Sequence, residues 1–184
     1  MVSLNDIRNV DYATVFRWNV SFNFGGAGST ALDLLKPPLN LRCETAELPK
    51  KTNQVIEVNI RGHRSRHSGI VQATPTVTLT FIEDTANSIS SFISAWRELH
   101  WAQNTGVSTT KQSGGTNNLA ASMTLTRLNN QDVEIFSYKL FGVFIEDYEA
   151  GTLDGATSDF LKPTITFSYD DFTDGADTAT PAVI

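Results

Sequence analysis

Hydrophobic and polar residues alternate with a period of two along much of the chain, beginning at Val15–Phe24. From Trp18 to Phe24 every second residue is aromatic or aliphatic, and the residues between them are Asn and Ser. This period predicts a half-buried β-strand, because successive side chains of a strand point to opposite faces. The glycine-rich sequence GGAGS that follows predicts a loop.

The same alternation predicts five further strands. They are Leu39–Thr45, Val55–Arg61, Thr76–Phe81, Ala121–Leu128 and Thr164–Tyr169. Their predicted hydrophobic faces carry, in chain order, Leu39, Leu41 and Cys43; Ile56, Val58 and Ile60; Val77, Leu79 and Phe81; Met123 and Leu125; and Ile165, Phe167 and Tyr169. A longer segment, Asp132–Ile145, is also strand-like. Its alternation slips near Ser137, which predicts a bulge or a break into two strands.

One segment between these strands has a helical period. Its hydrophobic residues recur every three or four positions, which predicts an amphipathic α-helix over about residues 86–102. The residues of this stripe are Ile89, Phe92, Ile93, Trp96 and Leu99. Asp84 or Thr85 is the predicted N-cap, because a short oxygen-bearing side chain accepts a hydrogen bond from a free backbone N–H of the first turn.

These patterns predict a mainly β fold, an antiparallel β-sandwich or barrel of about seven strands with one packed α-helix. The length of 184 residues fits a single domain, 1–184, and about residues 173–184 are predicted to form a loosely ordered tail. Such a sheet has edge strands whose unpaired backbone groups are able to pair with another strand. No hydrophobic stretch is long enough to predict a membrane-spanning helix.

Charge is unevenly distributed along the chain. The formal net charge is −6, but residues 36–66 contain seven Lys or Arg against three Asp or Glu. Residues 130–184 contain two Lys or Arg against eleven Asp or Glu. Opposite charges on different segments suggest self-complementary assembly, although solvated surfaces would give the same pattern. The single cysteine, Cys43, excludes an intrachain disulfide and fits folding in a reducing cytoplasm.

The segment Arg61–His67 concentrates three arginines and two of the three histidines. His63 and His67 would share a helix face and could ligate a metal, but the strand pattern before them and the lack of nearby Cys or acidic ligands argue against a metal site. Arginine suits phosphate, but no aromatic residue lies between these arginines to stack a base. The longer stretch Glu57–Gly69 is therefore predicted to be a strand, Glu57–Arg61, that leads into a positively charged loop.

The acidic residues offer a second candidate chemistry. Glu146, Asp147 and Glu149 cluster at the end of the long predicted strand, and paired carboxylates serve glycosidases and calcium sites. No calcium-loop spacing, nucleophile motif or phosphate-binding glycine loop accompanies them. Cys43 lies on a hydrophobic face, where a cysteine is by default a small buried hydrophobe. We therefore predict no enzymatic activity, no cofactor and no metal site, and we interpret the acids as exposed surface.

Several segments together resemble the tail tube proteins of contractile-tailed bacteriophages. They are FRWNVSF near the N-terminus, RCETAELPKKT at Arg42–Thr52, TVTLTFIEDTANSISSFISAWREL at Thr76–Leu99, and the later FGVFIEDYEAG and TITFSYDDF. The strand, acidic turn and aromatic helix of Thr76–Leu99 are the most telling part. The resemblance rests on the order and spacing of all the segments, which span roughly Val15–Phe172.

The resemblance implies a structural virion protein that is made in the host cytoplasm and located in the virion tail. Hexameric rings of such a protein stack into a tube, and the sheets of neighbouring subunits join around a lumen through which genomic DNA passes without specific binding. The implied partners are further copies of the chain, a tail sheath protein, and baseplate and tail terminator proteins. The type VI secretion tube protein has a related fold. No membrane contact and no cofactor are implied.

The residues fit this role in two ways. A lumen lined by neutral polar side chains would let DNA slide, because phosphate is held chiefly by Lys and Arg. The candidates for such faces are Thr76, Thr78, Thr80, Thr124, Thr126, Thr164, Thr166 and Ser168. The unequal charges suggest that a basic surface of one subunit meets an acidic surface of another. The predicted inter-subunit or ring contacts are Arg61, His63, Arg64, Arg66 and His67 on one side and Glu146, Asp147 and Glu149 on the other.

Two other functions remain as alternatives. A non-catalytic β-sandwich that binds carbohydrate would use exposed acidic residues and aromatic side chains such as Trp18 and Trp101. A hydrolase would use the carboxylates of Glu146, Asp147 and Glu149, and it is the weakest hypothesis, because none of these acids has a recognisable catalytic partner.

Overall fold

The computed structural model describes residues 15–24, 32, 36–102, 105–108, 121–156 and 158–175. In this part of the chain the helices with defined bounds are α1 (Leu39–Arg42) and α2 (Ser88–His100). The strands are β1 (Trp18–Phe24), β2 (Cys43–Ala46), β3 (Lys51–Ile60), β4 (His63–Ala73), β5 (Thr76–Phe81), β6 (Trp101–Ala102), β7 (Val107–Ser108), β8 (Ala121–Leu128), β9 (Glu134–Glu149), β10 (Thr164–Ser168) and β11 (Asp171–Asp174). The predicted GGAGS loop lies outside the described residues.

Seven of the strands form one antiparallel sheet. Its order is β1-β8-β9-β10-β5-β2, and β11 also pairs with β9. The 16-residue β9 pairs with β8 along its first part and with β10 along its last part, so it belongs to both halves of the sheet. The predicted antiparallel, mainly β fold is confirmed. β3 and β4 form a separate two-stranded sheet, and so do β6 and β7.

The alternating residues of the main sheet form the hydrophobic core. Val77, Leu79 and Phe81 are completely buried, and the threonines between them are half-buried. The same pattern holds along β1, β8 and β10, as their sequences predict. Burial of these side chains contributes about 1.5–3 kcal/mol each to folding, which makes the core the main stabilising part of the molecule.

Helix α2 packs its hydrophobic stripe onto this core. Ile89, Phe92, Ile93 and Trp96 are each at most 1% exposed. The Trp96 ring lies 4.9 Å from the Phe24 ring and 5.7 Å from the Phe167 ring, measured between ring centroids. This aromatic cluster joins the helix to both halves of the sheet. The predicted helix is confirmed, with its ends at Ser88 and His100. Neither it nor any other helix among the described residues is long and apolar enough to cross a membrane.

The start of α2 is capped by two carboxylates that precede it. The N-cap position is Asn87, whose side chain makes no capping hydrogen bond, so the prediction of Asp84 or Thr85 as the N-cap residue is wrong by position. Asp84 nevertheless accepts hydrogen bonds from the Ser88 backbone N–H and hydroxyl. Glu83 accepts from the backbone N–H groups of Ile89 and Ser90. The free donors of the first turn are therefore satisfied by side chains, as capping requires.

The strand predicted over Leu39–Thr45 is wrong in its first half. Pro37 and Pro38 precede a short helix, α1, and only residues from Cys43 onward are extended. Proline suits the start of a helix, because its fixed φ is helical and the first turn needs no intrahelical N–H donor. The helix buries Leu39 and leaves Leu41 84% exposed, so these residues do not share a face.

Strand β9 shows where the predicted irregularity lies. It is continuous and does not break into two strands, but its register with β8 shifts between Arg127 and Leu128, which leaves Ile135 as an extra residue two positions from Ser137. A second register shift with β8 occurs beside Gly142, whose φ of 65° suits glycine. A third shift, in the register with β10, leaves Glu146 without a paired residue on β10. The predicted bulge is therefore confirmed close to its expected position. Strand β11 takes up Thr173 and Asp174, the first residues of the predicted loose tail, and the residues beyond Gly175 are outside the described part.

Candidate functional site

The basic segment Arg61–His67 forms the end of a long β-hairpin made of β3 and β4. Ile60 pairs with His63, so the turn consists of Arg61 and Gly62 alone. Their φ angles are +50° and +82°, the left-handed values that a two-residue hairpin turn with the right-handed twist of the strands requires. The prediction of a loop after Arg61 is therefore wrong, because β4 begins at His63 and continues to Ala73.

One face of this hairpin is charged. Glu57 lies opposite Arg66, and Asn59 lies opposite Arg64. The Glu57 carboxylate accepts from Arg64 and lies 3.3 Å from the Arg66 Nε. One carboxylate thus faces two guanidinium groups, so this face of the hairpin stays positive, and Arg61 adds a third positive charge at the turn.

The opposite face of the hairpin is hydrophobic. Ile56 lies opposite His67, Val58 opposite Ser65, and Ile60 opposite His63. Side chains paired in this way stand on the same face of a ribbon. The strand predicted over Val55–Arg61 and its shared face of Ile56, Val58 and Ile60 are confirmed, and this face is not covered within one copy. These three side chains are 54%, 36% and 63% exposed.

The two histidines of the hairpin do not form a metal site. His63 and His67 are four positions apart on one strand, about 13 Å along an extended chain. Ser65 lies between them, and its hydroxyl is 2.9 Å from the His67 Nε2. Within the described ranges no group of three or more His, Cys, Asp or Glu side chains is placed to hold a metal ion.

The acidic candidates lie on a different element. Glu146, Asp147 and Glu149 are exposed near the end of β9. Asp147 lies opposite Thr166 and Glu149 opposite Thr164, so both carboxylates belong to the outer face of the sheet. In the part of the chain that the structure describes, no ion pair joins them to the basic hairpin within one copy.

The outer face of the main sheet is nearly free of charge on four of its strands. The residues of β1, β8, β10 and β5 that alternate with buried ones are Asn, Ser or Thr. We call this the polar face, and on these strands it consists of Asn19, Ser21, Asn23, Ser122, Thr124, Thr126, Thr164, Thr166, Ser168, Thr76, Thr78 and Thr80. Paired threonines such as Thr78 and Thr166 continue the face from one strand to the next.

A hydrophobic groove lies where the two ends of the sheet approach each other. The groove is lined by Trp18 of β1, Ala46 of β2, Leu48 after β2, and Leu125 of β8. Its volume is about 480 Å³. We call it the edge groove, because β1 and β2 are the edge strands of the sheet. Val15, at its mouth, is 93% exposed. The edge groove was not predicted from the sequence, because alternation does not show which strands become edges.

The remaining candidate residues from the sequence are Cys43, Trp18 and Trp101. Cys43 is half-buried, and burial raises its pKa to about 12, so its thiol stays protonated and unreactive at neutral pH. Trp18 packs against the core, whereas Trp101 is 55% exposed on the short strand β6. The two tryptophans proposed for carbohydrate binding are therefore not one exposed platform.

The chain matches a known protein family, and its fold is similar to solved structures. The model of a family described as phage tail tube protein matches residues 11–174. A chain of the anti-feeding prophage baseplate is 13% identical, with a TM-score of 0.63, and the match covers 91% of this chain and 98% of that chain. A chain of the sheath–tube complex of the extracellular contractile injection system PVC is 15% identical, with a TM-score of 0.59, covering 95% and 98%. No curated protein sequence matches the chain.

The antiparallel sheet closed by one aromatic helix is thus a fold that contractile injection particles also contain. It defines a structural β-protein of the tail tube class. The chain belongs to the phage tail tube protein family, because the family model covers most of its length. The resemblance seen in the order of its sequence segments is confirmed at this level.

Proposed function

We propose that this protein is the subunit of the inner tail tube of a contractile particle, and that hexameric rings of it stack around a DNA-conducting lumen. The observation that carries the proposal is the polar face. It is neutral on β1 and β8 and again on β10 and β5, while the outer face of β9 between these two pairs carries Lys139, Asp147 and Glu149. A DNA conduit needs a wall of this kind, because phosphate contacts from Lys and Arg would retain the DNA.

The basic hairpin and the acidic end of β9 provide the proposed contacts between copies. Arg61, His63, Arg64, Arg66 and His67 lie at the exposed end of the hairpin, and Glu146, Asp147 and Glu149 lie on the sheet. Because the two groups do not meet within one copy, each is free to meet the other on a neighbouring copy. Two different surfaces that meet in this way repeat from copy to copy and build rings or filaments.

The remaining partners are proposed from the related particles. The similar chains come from structures described as a baseplate, a sheath–tube complex and a tube-terminating cap. We infer that this protein likewise contacts a sheath around the tube, a baseplate at one end and a terminator at the other. Its place would then be the tail of the particle, without enzymatic activity.

Charge reversal of the hairpin tests the proposed contact. Replacing Arg61, Arg64 and Arg66 by Glu should prevent tube growth, while circular dichroism and thermal unfolding remain close to wild type because these side chains are exposed. Electron micrographs of wild-type protein should show rings or tubes, with baseplate components added if a template is needed. Wild-type protein that remains monomeric with such a template would contradict the tube assignment.

A charge-swapped pair supplies the control. Replacing Glu146, Asp147 and Glu149 by Lys should block tube growth alone, and mixing this variant with the charge-reversed hairpin variant should partly restore it. Restoration requires that the two groups face each other on different copies. Tubes of normal length from the hairpin variant alone would exclude the basic segment as a contact.

A further inference from the structure

The hydrophobic face of the hairpin is an interaction surface without an occupant in one copy. Ile56, Val58 and Ile60 project from a two-stranded ribbon, and every residue of β3 is exposed. A lone hairpin is at best marginally stable in water, and clustered exposed hydrophobic side chains usually mark a contact with another molecule. The ribbon therefore needs a surface against which to pack.

The edge groove is the complementary surface. It is lined by Trp18, Ala46, Leu48 and Leu125, and two of its charged lining residues already have partners. The Arg17 guanidinium is 2.7 Å from Asp132, and the Glu44 carboxylate is 3.1 Å from the Lys162 ammonium. Arg17 and Glu44, two of the three charged residues that line the groove, therefore keep a counter-charge when a hydrophobic face enters, and Arg127 is the third.

Part of the β1 edge beside the groove is already covered. At β1 the Asn40 side-chain oxygen accepts from the Val20 N–H at 3.0 Å, so α1 covers that part of the edge. The end of β1 at Trp18 lines the groove beyond this cover. Free strand edges pair readily with another extended chain, and the hairpin has two such edges of its own.

The hairpin does not fill the groove of its own copy. The Lys51 ammonium donates to the Phe172 carbonyl at 2.9 Å and lies 4.4 Å from the Phe172 ring, which ties the base of the hairpin to β11. From this base β3 runs about 33 Å outward at its ten-residue length. All its side chains remain exposed, so it projects away from the sheet.

We propose that the hydrophobic face of the hairpin, Ile56, Val58 and Ile60 with His63 and His67 beside them, docks into the edge groove of a second copy of this chain. This inference rests on the proposed tube function and specifies which face and which groove meet. The charged face with Glu57, Arg64 and Arg66 then points away from the groove and stays available to the acidic residues of β9, whereas His63 and His67 lie at the groove instead of meeting those acids. Because the two surfaces differ, the contact can repeat head-to-tail and close a ring, whereas reciprocal docking of two hairpins would give a two-fold dimer.

Two neighbouring residues of β3 give a matched test. Ile56 is on the hydrophobic face and is 54% exposed, whereas Val55 is on the charged face and is 58% exposed. Ile56→Asp should raise the protein concentration needed for assembly at least about tenfold, because a docked carboxylate would be desolvated without a partner. Val55→Asp should change it less than about threefold. Equal effects of the two substitutions would overturn the choice of face.

Disulfide trapping between two singly substituted chains tests the groove itself. In a Cys43→Ala background, a Leu48→Cys chain is mixed with a differently tagged Val58→Cys chain and oxidised after assembly. A mixed disulfide is expected, and it can form only between copies. Asn59→Cys, which lies on the charged face, replaces Val58→Cys in the control and should give none.

The outcomes separate this proposal from the tube function. Rings that form without the mixed disulfide, with Ile56→Asp assembling as well as Val55→Asp, would overturn the docking while the tube assignment stands. Failure of the wild-type chain to form rings, with a template present, would remove the tube assignment itself. A mixed disulfide that forms equally well with Asn59→Cys would also overturn the docking, because it would show unspecific collision.

Discussion

Glu83 and Asp84 hold the start of α2 although neither occupies its N-cap position. Glu83 accepts from Ile89, Ser90 and the Ser90 hydroxyl, and that hydroxyl also lies 2.7 Å from the Tyr148 hydroxyl. Burial alone would raise the pKa of Glu83, but these hydrogen bonds lower it overall. Tyr148 belongs to β9, so the hydrogen bonds that cap the helix also attach it to the sheet.

Substitution of Glu83 should therefore destabilise the fold. Glu83→Gln removes the negative acceptor and should lower the free energy of unfolding by about 1 kcal/mol, the usual value of a helix cap. Chemical denaturation followed by tryptophan fluorescence measures this change. Glu98→Gln, on the exposed side of the same helix, is the control and should have little effect. Equal losses in both variants would argue against the cap.

Asp84 should contribute to acid stability. Hydrogen bonds from the Ser88 backbone and hydroxyl, together with Arg42, lower its pKa to about 2 from an ordinary value near 3.8. A carboxyl group with a lowered pKa stabilises the folded state above its unfolded pKa, and this stabilisation is lost as the pH falls through the folded value. Asp84→Asn should therefore make unfolding less dependent on pH between about 4 and 2. An unchanged acid transition in this variant would contradict the assigned role.

At the scale of single elements, the glycine of the hairpin turn allows β3 and β4 to form the hairpin that projects from the sheet. Gly62 has a φ of +82° and no atom within 4 Å of the position that a Cβ would take. A valine side chain at this position would not clash with other residues, but the valine backbone would be strained at this φ. The turn is therefore limited by conformation and not by packing.

Gly62→Val should weaken the hairpin and leave the main sheet intact. Backbone strain of about 1–3 kcal/mol at the turn should increase hydrogen exchange along β3 and β4. Exchange in β5, β10 and α2 should stay as in wild type, because those elements do not contact the turn. The conservative control is Gly62→Asn, since Asn tolerates positive φ. A valine variant with unchanged exchange would show that the turn does not hold the ribbon.

The same element shows how far sequence prediction extends. The alternation at Thr76–Phe81 and at Ile56–Ile60 is equally regular, yet Val77, Leu79 and Phe81 are completely buried while the residues of β3 are exposed. A period of two shows that side chains share a face, but the tertiary arrangement decides what covers that face. The start of β4 at His63 was missed for a different reason. Its charged residues suggest a loop, and Arg-Gly is not one of the dipeptides, such as Asn-Gly or Asp-Gly, that typically mark a two-residue hairpin turn.

At the scale of the whole molecule, the sheet separates two environments. One face carries the core beneath α2, and the other is the polar face. The sequence predicted both the helix stripe and the outward threonines, because each follows from local periodicity. It did not predict the edge groove, which depends on how strands far apart in the chain come together.

Positive charge on the polar face should slow passage of DNA through the proposed lumen. Thr78 and Thr166 lie opposite each other on β5 and β10, and replacing both by Lys adds charge without disturbing the buried residues between them. Particles with this tube should release DNA more slowly, and higher salt should restore the rate, because phosphate binding is screened. Release is measured by the fluorescence of a DNA dye after contraction is triggered.

Ser91→Lys with Ser94→Lys is the matched control, because it adds the same charge on the exposed side of α2. These particles should release DNA at the wild-type rate. If the Thr78 and Thr166 variant also releases DNA at that rate, the polar face does not line the lumen.

The pairing of β1 with β8 has a consequence for synthesis of the protein. Trp18 pairs with Arg127, 109 positions later in the chain, so the first strand has no neighbour in the sheet until β8 has been made. At about 5–20 residues per second the wait is roughly 5–20 s. During this time the backbone groups of β1 that face β8 have no strand partner, and a chain that stops before β8 leaves them unpaired. Such a chain cannot complete the sheet, so a growing tube would receive few subunits truncated before this point.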